Sequence, residues 1–219
     1  MIPMNFYNFV LDEDQEAFVK TVRNPDKLVV FCNSVAGTGK TTIAMGIANL
    51  LYHDKRNKIN GIYYIVAPYG ESRQGYLPGD QSNKSAVYFK PAIKAMIECN
   101  MNVNSCIGTD PMEEDKKGEK YVFMMTTTYL RGDNFSNKVV IVDEAQNCTV
   151  PELKTILTRI HDDCKVLVIG HDGQIDITGK SGFTKYIEHF CTDDRAAECK
   201  LTINHRGWIS SHADALSED

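Results

Sequence analysis

The sequence predicts an α/β fold, a mainly parallel sheet with helices on both faces. Three observations carry this expectation. Short continuous apolar runs recur along the chain, segments of helical periodicity separate them, and a glycine-rich turn joins one such run to the next helix. A parallel strand buried on both faces has no polar side, so it reads as an unbroken apolar run, and its crossover helix supplies the periodic segment between runs. At 219 residues the chain fits one domain spanning 1–219, large enough to bury a core without covalent staples.

Each element has a local reason. Residues 12–23 read as a helix, with Ala17, Phe18 and Val22 at helical spacing. Leu28 to Cys32 is a strand, followed by a turn-rich stretch from Asn33 to Gly39. The next helix sets Ile43, Ile47 and Leu51 on one stripe, with Ala44 and Ala48 beside it. Ile62 to Ala67 is a strand closed by Pro68. Ser85 to Cys99 is helical but is expected to break at Pro91, which lacks an N–H and crowds the preceding turn. Met101 to Glu119 is polar and irregular. Tyr121 to Thr126 and Val139 to Val142 are strands. Thr149-Val150-Pro151-Glu152 opens a helix through capping-box spacing and a proline in the first turn. Lys165 to Gly170 is a strand, Ser181 to Cys191 a helix and Cys199 to Ile203 a last strand.

Composition narrows the function classes. Hydrophobic residues make up 42% and charged residues 24%, which excludes wholesale disorder. No apolar run approaches the roughly 18 residues that span a bilayer, so no membrane partner is expected. Lys and Arg number 24 against 29 Asp and Glu, a net charge of −5, unlike a protein that coats nucleic acid non-specifically. A local basic face remains open. The N-terminal residues show no positively charged region leading into an apolar one, and the seven cysteines form no C-x-x-C pair. A reducing, cytoplasmic setting with cysteines used for packing is expected.

Two stretches carry chemistry. Ser34-Val35-Ala36-Gly37-Thr38-Gly39-Lys40-Thr41-Thr42 lies between a predicted strand and a predicted helix. A nucleoside triphosphate needs backbone N–H groups aimed at its oxygens, a helix N-terminus behind them and a mobile ammonium. Lys40 is placed to reach the β- and γ-phosphates, and the Thr41 hydroxyl to ligate Mg²⁺. Ser34 stands where the G-x-x-x-x-G-K-[ST] pattern has its first glycine, and Gly37 is the candidate to supply the lost flexibility. The second stretch, Val139 to Gln146, is an apolar strand ending in two carboxylates. At the carboxyl edge of a parallel sheet they face the same crevice as the loop. Asp143 becomes the Mg²⁺ partner, and Glu144 the group that orients or deprotonates the attacking water. A solvated acidic turn explains this stretch in isolation; beside the loop, Mg²⁺-dependent nucleotide hydrolysis explains both together.

Other residues are read by association. Gln174, after the strand ending at Gly170, is either a polar loop residue or a hydrogen-bond partner of the γ-phosphate. Gln15 lies on the helix before the nucleotide loop, either on a solvated face or matching the adenine edge with an amide that donates and accepts. No Asn-Lys-x-Asp guanine-reading signature is present, which favours ATP over GTP. Trp208, the one tryptophan, is a helix-start packing residue or a platform for a base beside Arg206. Lys116 and Lys117 read as a solvated loop, with a phosphate backbone as the alternative contact.

Together these residues resemble the PhoH-like P-loop ATPases, relatives of superfamily 1 helicase cores. The resemblance rests on Ala36 to Thr41, Val142-Asp143-Glu144-Ala145-Gln146-Asn147, Leu157-Thr158-Arg159 and Gly170…Gln174-Ile175-Asp176. Tyr76-Leu77-Pro78-Gly79-Asp80 is similar to the family's F-L-P-G-D, and Tyr129-Leu130-Arg131-Gly132 to its Y-M-R-G. It implies a RecA-like core, ATP hydrolysis with Mg²⁺, a link to phosphate starvation, action on RNA or single-stranded nucleic acid, and ring-forming homo-oligomers. It also implies Lys40 and Thr41 on phosphate and metal, Asp143 and Glu144 on metal and water, and Gln174 as γ-phosphate sensor. His171 departs from the family's Asp, with Asp172 one position later. Asn204-His205-Arg206 matches the late V-R-H only loosely, so Arg206, Arg159 and Arg131 all stand as candidates for the charge-neutralising arginine. With one core in the chain, the rest of an ATP site is expected from a neighbouring copy. A nucleotide-dependent switch without significant turnover is the alternative; dispersed arginines and the D-E-A-Q signature argue against a small-molecule kinase.

Overall fold

In a computed structural model, residues 5–67, 81–108, 120–127, 130 and 134–215 are described, without the side chains of 5 and 81–86. The L-P-G-D segment at 76–80, Lys116 and Lys117, Tyr129, Arg131 and Gly132 lie outside these residues.

Eight strands are present among the described residues: β1 (Asn5–Phe6), β2 (Phe9–Val10), β3 (Val29–Ser34), β4 (Ile62–Val66), β5 (Val122–Thr126), β6 (Val139–Asp143), β7 (Lys165–Gly170) and β8 (Ala196–Leu201). The helices are α1 (Glu13–Arg23), α2 (Lys40–His53), α3 (Gln81–Glu98), α4 (Val103–Cys106), α5 (Val150–Leu157), α6 (Phe183–Phe190) and α7 (Trp208–Asp214). Strands β3 to β8 form one six-stranded sheet in the order β5-β4-β6-β7-β3-β8, and every pairing in it is parallel. This is the predicted α/β architecture.

Strand alternation builds two cores. Val30, Cys32, Ile62, Tyr64, Val66, Ile141 and Leu167 face α1, α2 and α3, while Phe31, Tyr63, Ile65, Val140, Val142, Val166 and Val168 face α5 and α6. Both faces of the central strands are covered, so β4, β6 and β7 are buried at every position. That is the physical origin of their continuous apolar runs.

Several boundaries differ from expectation. Strand β3 runs two residues beyond Cys32, because Asn33 and Ser34 still pair with β8. β8 begins at Ala196 rather than Cys199 and ends at Leu201; as an edge strand with exposed Glu198 and Lys200, it has no apolar run to read. α3 does not break at Pro91. Pro91 is exposed, and Ala92, Ala95, Met96 and Cys99 form a buried stripe on that helix and the residue after it. Burial of that stripe outweighs one missing backbone hydrogen bond.

The β1–β2 hairpin, where the sequence predicts no element, packs on α2. A Cβ placed on Gly46 would lie 2.7 Å from the Phe6 ring and 2.8 Å from Cys99 Sγ, so only glycine admits this contact. Five of the seven cysteines are buried, and Cys191 is exposed. Among the described residues no helix is long and apolar enough to cross a membrane.

Candidate nucleotide site

The carboxyl ends of β3, β6 and β7 open on one edge of the sheet. Strand β3 ends at Ser34, five residues turn, and α2 begins at Lys40. Gly37 and Gly39 adopt φ of 76° and 77°, the left-handed region that side chains resist. Space adds to the constraint at Gly37, where a Cβ would come within 2.6 Å of Asn204 Oδ1.

The loop turns its carbonyls into the protein. Val35 C=O accepts from Thr38 Oγ1 at 3.2 Å, Gly37 C=O from the His205 N–H at 2.9 Å, and Thr38 C=O from Gln15 Nε2 at 2.9 Å. The amides from Gly37 to Thr41 make no hydrogen bond to a described residue. A row of free N–H groups at the start of a helix of 14 residues is an anion cradle, favoured by the helix dipole. Lys40 stands at its helical end and forms no ion pair among the described residues.

Strand β6 supplies the acidic side. Asp143 Oδ2 accepts from Thr41 Oγ1 at 2.8 Å and from Tyr64 Oη at 2.8 Å. Asp143 is only 1% exposed, and burial, reinforced by the neighbouring Glu144 charge, pushes its carboxyl up to about 6. Glu144 follows at φ 53°, a strained conformation for a residue with a Cβ, and half-exposes its carboxylate. Gln146 Nε2 donates to Glu144 Oε2 at 2.7 Å, and Gln146 Oε1 accepts from the His171 N–H at 3.1 Å. This amide ties the end of β6 to the end of β7.

A divalent metal fits this corner. Thr41 and Asp143 offer only oxygen donors, as Mg²⁺ prefers, and the desolvated carboxylate gains most from a cation. Among the described residues no group of three or more His, Cys, Asp or Glu could hold a metal, so phosphate oxygens and water would complete the shell. Bound there, Mg²⁺ would withdraw charge from the phosphates.

The remaining candidates are placed unevenly. Ser34 Oγ is buried with no hydrogen-bond partner. Thr42 Oγ1 points away from the loop and donates to Glu98 Oε2 on α3 at 2.7 Å. Gln15 is 6% exposed; its Nε2 donates to the loop and lies 3.1 Å from His205 Nε2, and its Oε1 accepts from the Asp12 N–H at 3.2 Å, so it braces the loop. Gln174 Nε2 donates to Asp214 Oδ1 at 3.1 Å. Arg206 is exposed, with Cγ 3.0 Å from where a Gly37 Cβ would stand. Arg159 follows α5 and its carbonyl bonds Phe135 at the opposite, amino edge of the sheet. Trp208 starts α7 but is 70% exposed, and its ring packs against His212 at a tilt of 39° with centroids 4.2 Å apart. Sequence reasoning assigned no role to Tyr64, Gln146, His205 or Asp214. Only Gln146 had a local signal, its place two residues after the acidic pair.

A left-handed glycine loop between a parallel strand and a helix, with a strand-end carboxylate bonded to the first helical hydroxyl, defines the P-loop NTPase class of fold. Within that class the chain belongs to the PhoH-like family, whose model, described as "PhoH-like protein", matches residues 10–206. It is 31% identical over 212 residues to "Protein PhoH" of Escherichia coli (strain K12), covering 88% of this chain and 56% of that protein. It is 35% identical over 193 residues to "Protein PhoH2" of Bacillus subtilis (strain 168), covering 83% of this chain and 41% of that protein. The chain thus spans about half the length of the curated relatives it matches. In fold it is similar to the large terminase of bacteriophage HK97, with TM-score 0.56, 17% identity and coverage of 88% and 39%. The large terminase of a thermophilic bacteriophage, solved in complex with ADP, gives TM-score 0.54, 12% identity and coverage of 95% and 48%.

Proposed function

We propose that this protein binds ATP with Mg²⁺ at the loop of residues 34–42 and hydrolyses it, coupling the cycle to RNA or other nucleic acid as a homo-oligomer. The observation that carries the hydrolytic reading is the Thr41–Asp143 hydrogen bond at 2.8 Å, which joins the anion cradle to a buried carboxylate. In this reading the Gly37–Thr41 amides and Lys40 hold the phosphates. Asp143 and Thr41 hold the metal. Glu144 orients a water and accepts its proton as the water oxygen bonds Pγ and the bond from Pγ to the β,γ-bridging oxygen breaks, releasing ADP, and Gln174 reports the γ-phosphate.

Arg206 is the candidate to neutralise charge within the chain, since of the two described candidates it stands beside the loop and Arg159 does not. The coupling to nucleic acid, the link to phosphate starvation and the oligomer rest on family membership. Exposed Trp208 and Ile209 beside the site offer apolar surface for either contact. The cytoplasm is the proposed location.

The test is phosphate release from ATP, with and without RNA, across a dilution series. Turnover is expected with Mg²⁺, none with EDTA, and at least about a hundredfold loss in Lys40→Ala. The rate per chain should rise with concentration if a neighbour completes the site. ATP binding without turnover under all these conditions would establish the switch instead. A flat rate from a monomer would remove the oligomer from the proposal.

A further inference from the structure

α7 brings a carboxylate onto the phosphate loop. Asp214 Oδ2 accepts from the Ala36 N–H at 3.3 Å, and Asp214 Oδ1 accepts from Gln174 Nε2 at 3.1 Å. The same Oδ1 lies 3.8 Å from His171 Nδ1, a nitrogen that is buried and makes no hydrogen bond. The Asp214 and His171 side chains are 11% and 9% exposed, while Gln174 lies on the solvent side of the corner. A loop amide, a side-chain amide and an imidazole converge there on one anion.

The Asp214 carboxylate is too small to use all of them. A buried ring nitrogen left short of a partner is the mark of a cradle shaped for a larger anion. The free amides from Gly37 to Thr41 are undisturbed by Asp214 and are enough to hold a diphosphate. A third phosphate at Ala36 would compete with the carboxylate for the same donors and be repelled by its charge.

α7 is also lightly anchored. None of its residues is buried, Trp208 and Ile209 are 70% and 78% exposed, and its tie to the preceding loop is Asn204 Nδ2 to Ser210 Oγ at 2.9 Å.

We propose that Asp214 is a specificity-determining residue: it occupies the γ-phosphate corner of the loop, so ADP binds with α7 in place and ATP binds only by displacing it. This rests on the nucleotide reading above and adds its discrimination. Binding of triphosphate is thereby coupled to release of α7 and its exposed aromatic.

Trp208 is the one tryptophan of the chain and sits on α7, packed at a tilt against His212, so it reports the displacement directly. ADP and the β,γ-imido analogue of ATP are titrated with Mg²⁺ into wild type, Asp214→Asn and Asp214→Ala, following heat and Trp208 emission. In the wild type the analogue should change the emission and ADP should not. Both variants should bind the analogue about tenfold tighter, with ADP affinity held within about twofold. Equal shifts for both nucleotides, or weaker analogue binding, would overturn the proposal. Wild type and variants that all bind the analogue yet reject ADP would also overturn it. Failure of every chain to bind either nucleotide would overturn the nucleotide reading itself, and Asp214's role with it.

Discussion

Asp143 carries the largest local tension in the site. Its carboxylate is fully enclosed, accepts from two hydroxyls and faces no direct ion pair among the described residues. Ionisation at neutral pH therefore costs stability, since a raised folded pKa means the folded chain binds a proton more tightly than the unfolded one. Asp143→Asn should raise the thermal stability of the nucleotide-free protein, by about 1–3 kcal/mol, while removing the stabilisation that Mg²⁺ and ATP confer. Calorimetric unfolding of both proteins with and without Mg-ATP checks this. A variant less stable than wild type in both conditions contradicts it. Residues such as Lys40, Thr41 and Asp143 were legible because their chemistry is local: a glycine loop before a helix, an acid after an apolar run. Tyr64 was not, because it sits within a buried strand and reads as one more hydrophobe; its hydroxyl gains meaning only when β4 is paired with β6. Asp214 reaches the loop from 178 residues away, and nothing near it in sequence points there.

Elements were readable where burial was two-sided and obscure where it was not. β7 was expected from Lys165 to Gly170 and spans those residues, because each of its positions is buried. The capping box of α5 is present as expected, with the Thr149 N–H and Oγ1 both 2.7 Å from Glu152 Oε2. β8 was expected only from Cys199 onward, because one edge of the strand is free and polar side chains alternate along it. α3 shows a different conflict. Local chemistry breaks the helix at Pro91, and tertiary packing against α2 keeps it whole. Pro91→Ala should therefore restore a donor to the carbonyl of Val87 and stabilise the protein by about 1 kcal/mol or more, after allowing for the freer unfolded chain. Urea unfolding measures it. An unchanged or lower midpoint would mean that the proline is matched by compensation elsewhere in α3.

At the scale of the molecule, strand order makes the site. β7 lies between β3 and β6, so its end places His171 and Gln174 between the phosphate loop and the acidic pair. Three segments distant in sequence thus share one crevice, which no single motif specifies. The sheet also divides the arginines, keeping Arg206 at the loop and Arg159 at the opposite edge. Binding and chemistry are separable in this arrangement, because the cradle amides belong to the turn after β3 and the start of α2, whereas the carboxylate proposed to orient water belongs to the turn after β6. The most direct measurement is therefore a paired one on Glu144→Gln: the affinity for Mg-ATP and the rate of phosphate release. Affinity within about threefold of wild type, with turnover reduced at least about a hundredfold, is the predicted result. Turnover equal to wild type would contradict the assignment of Glu144 and the hydrolytic site built around it.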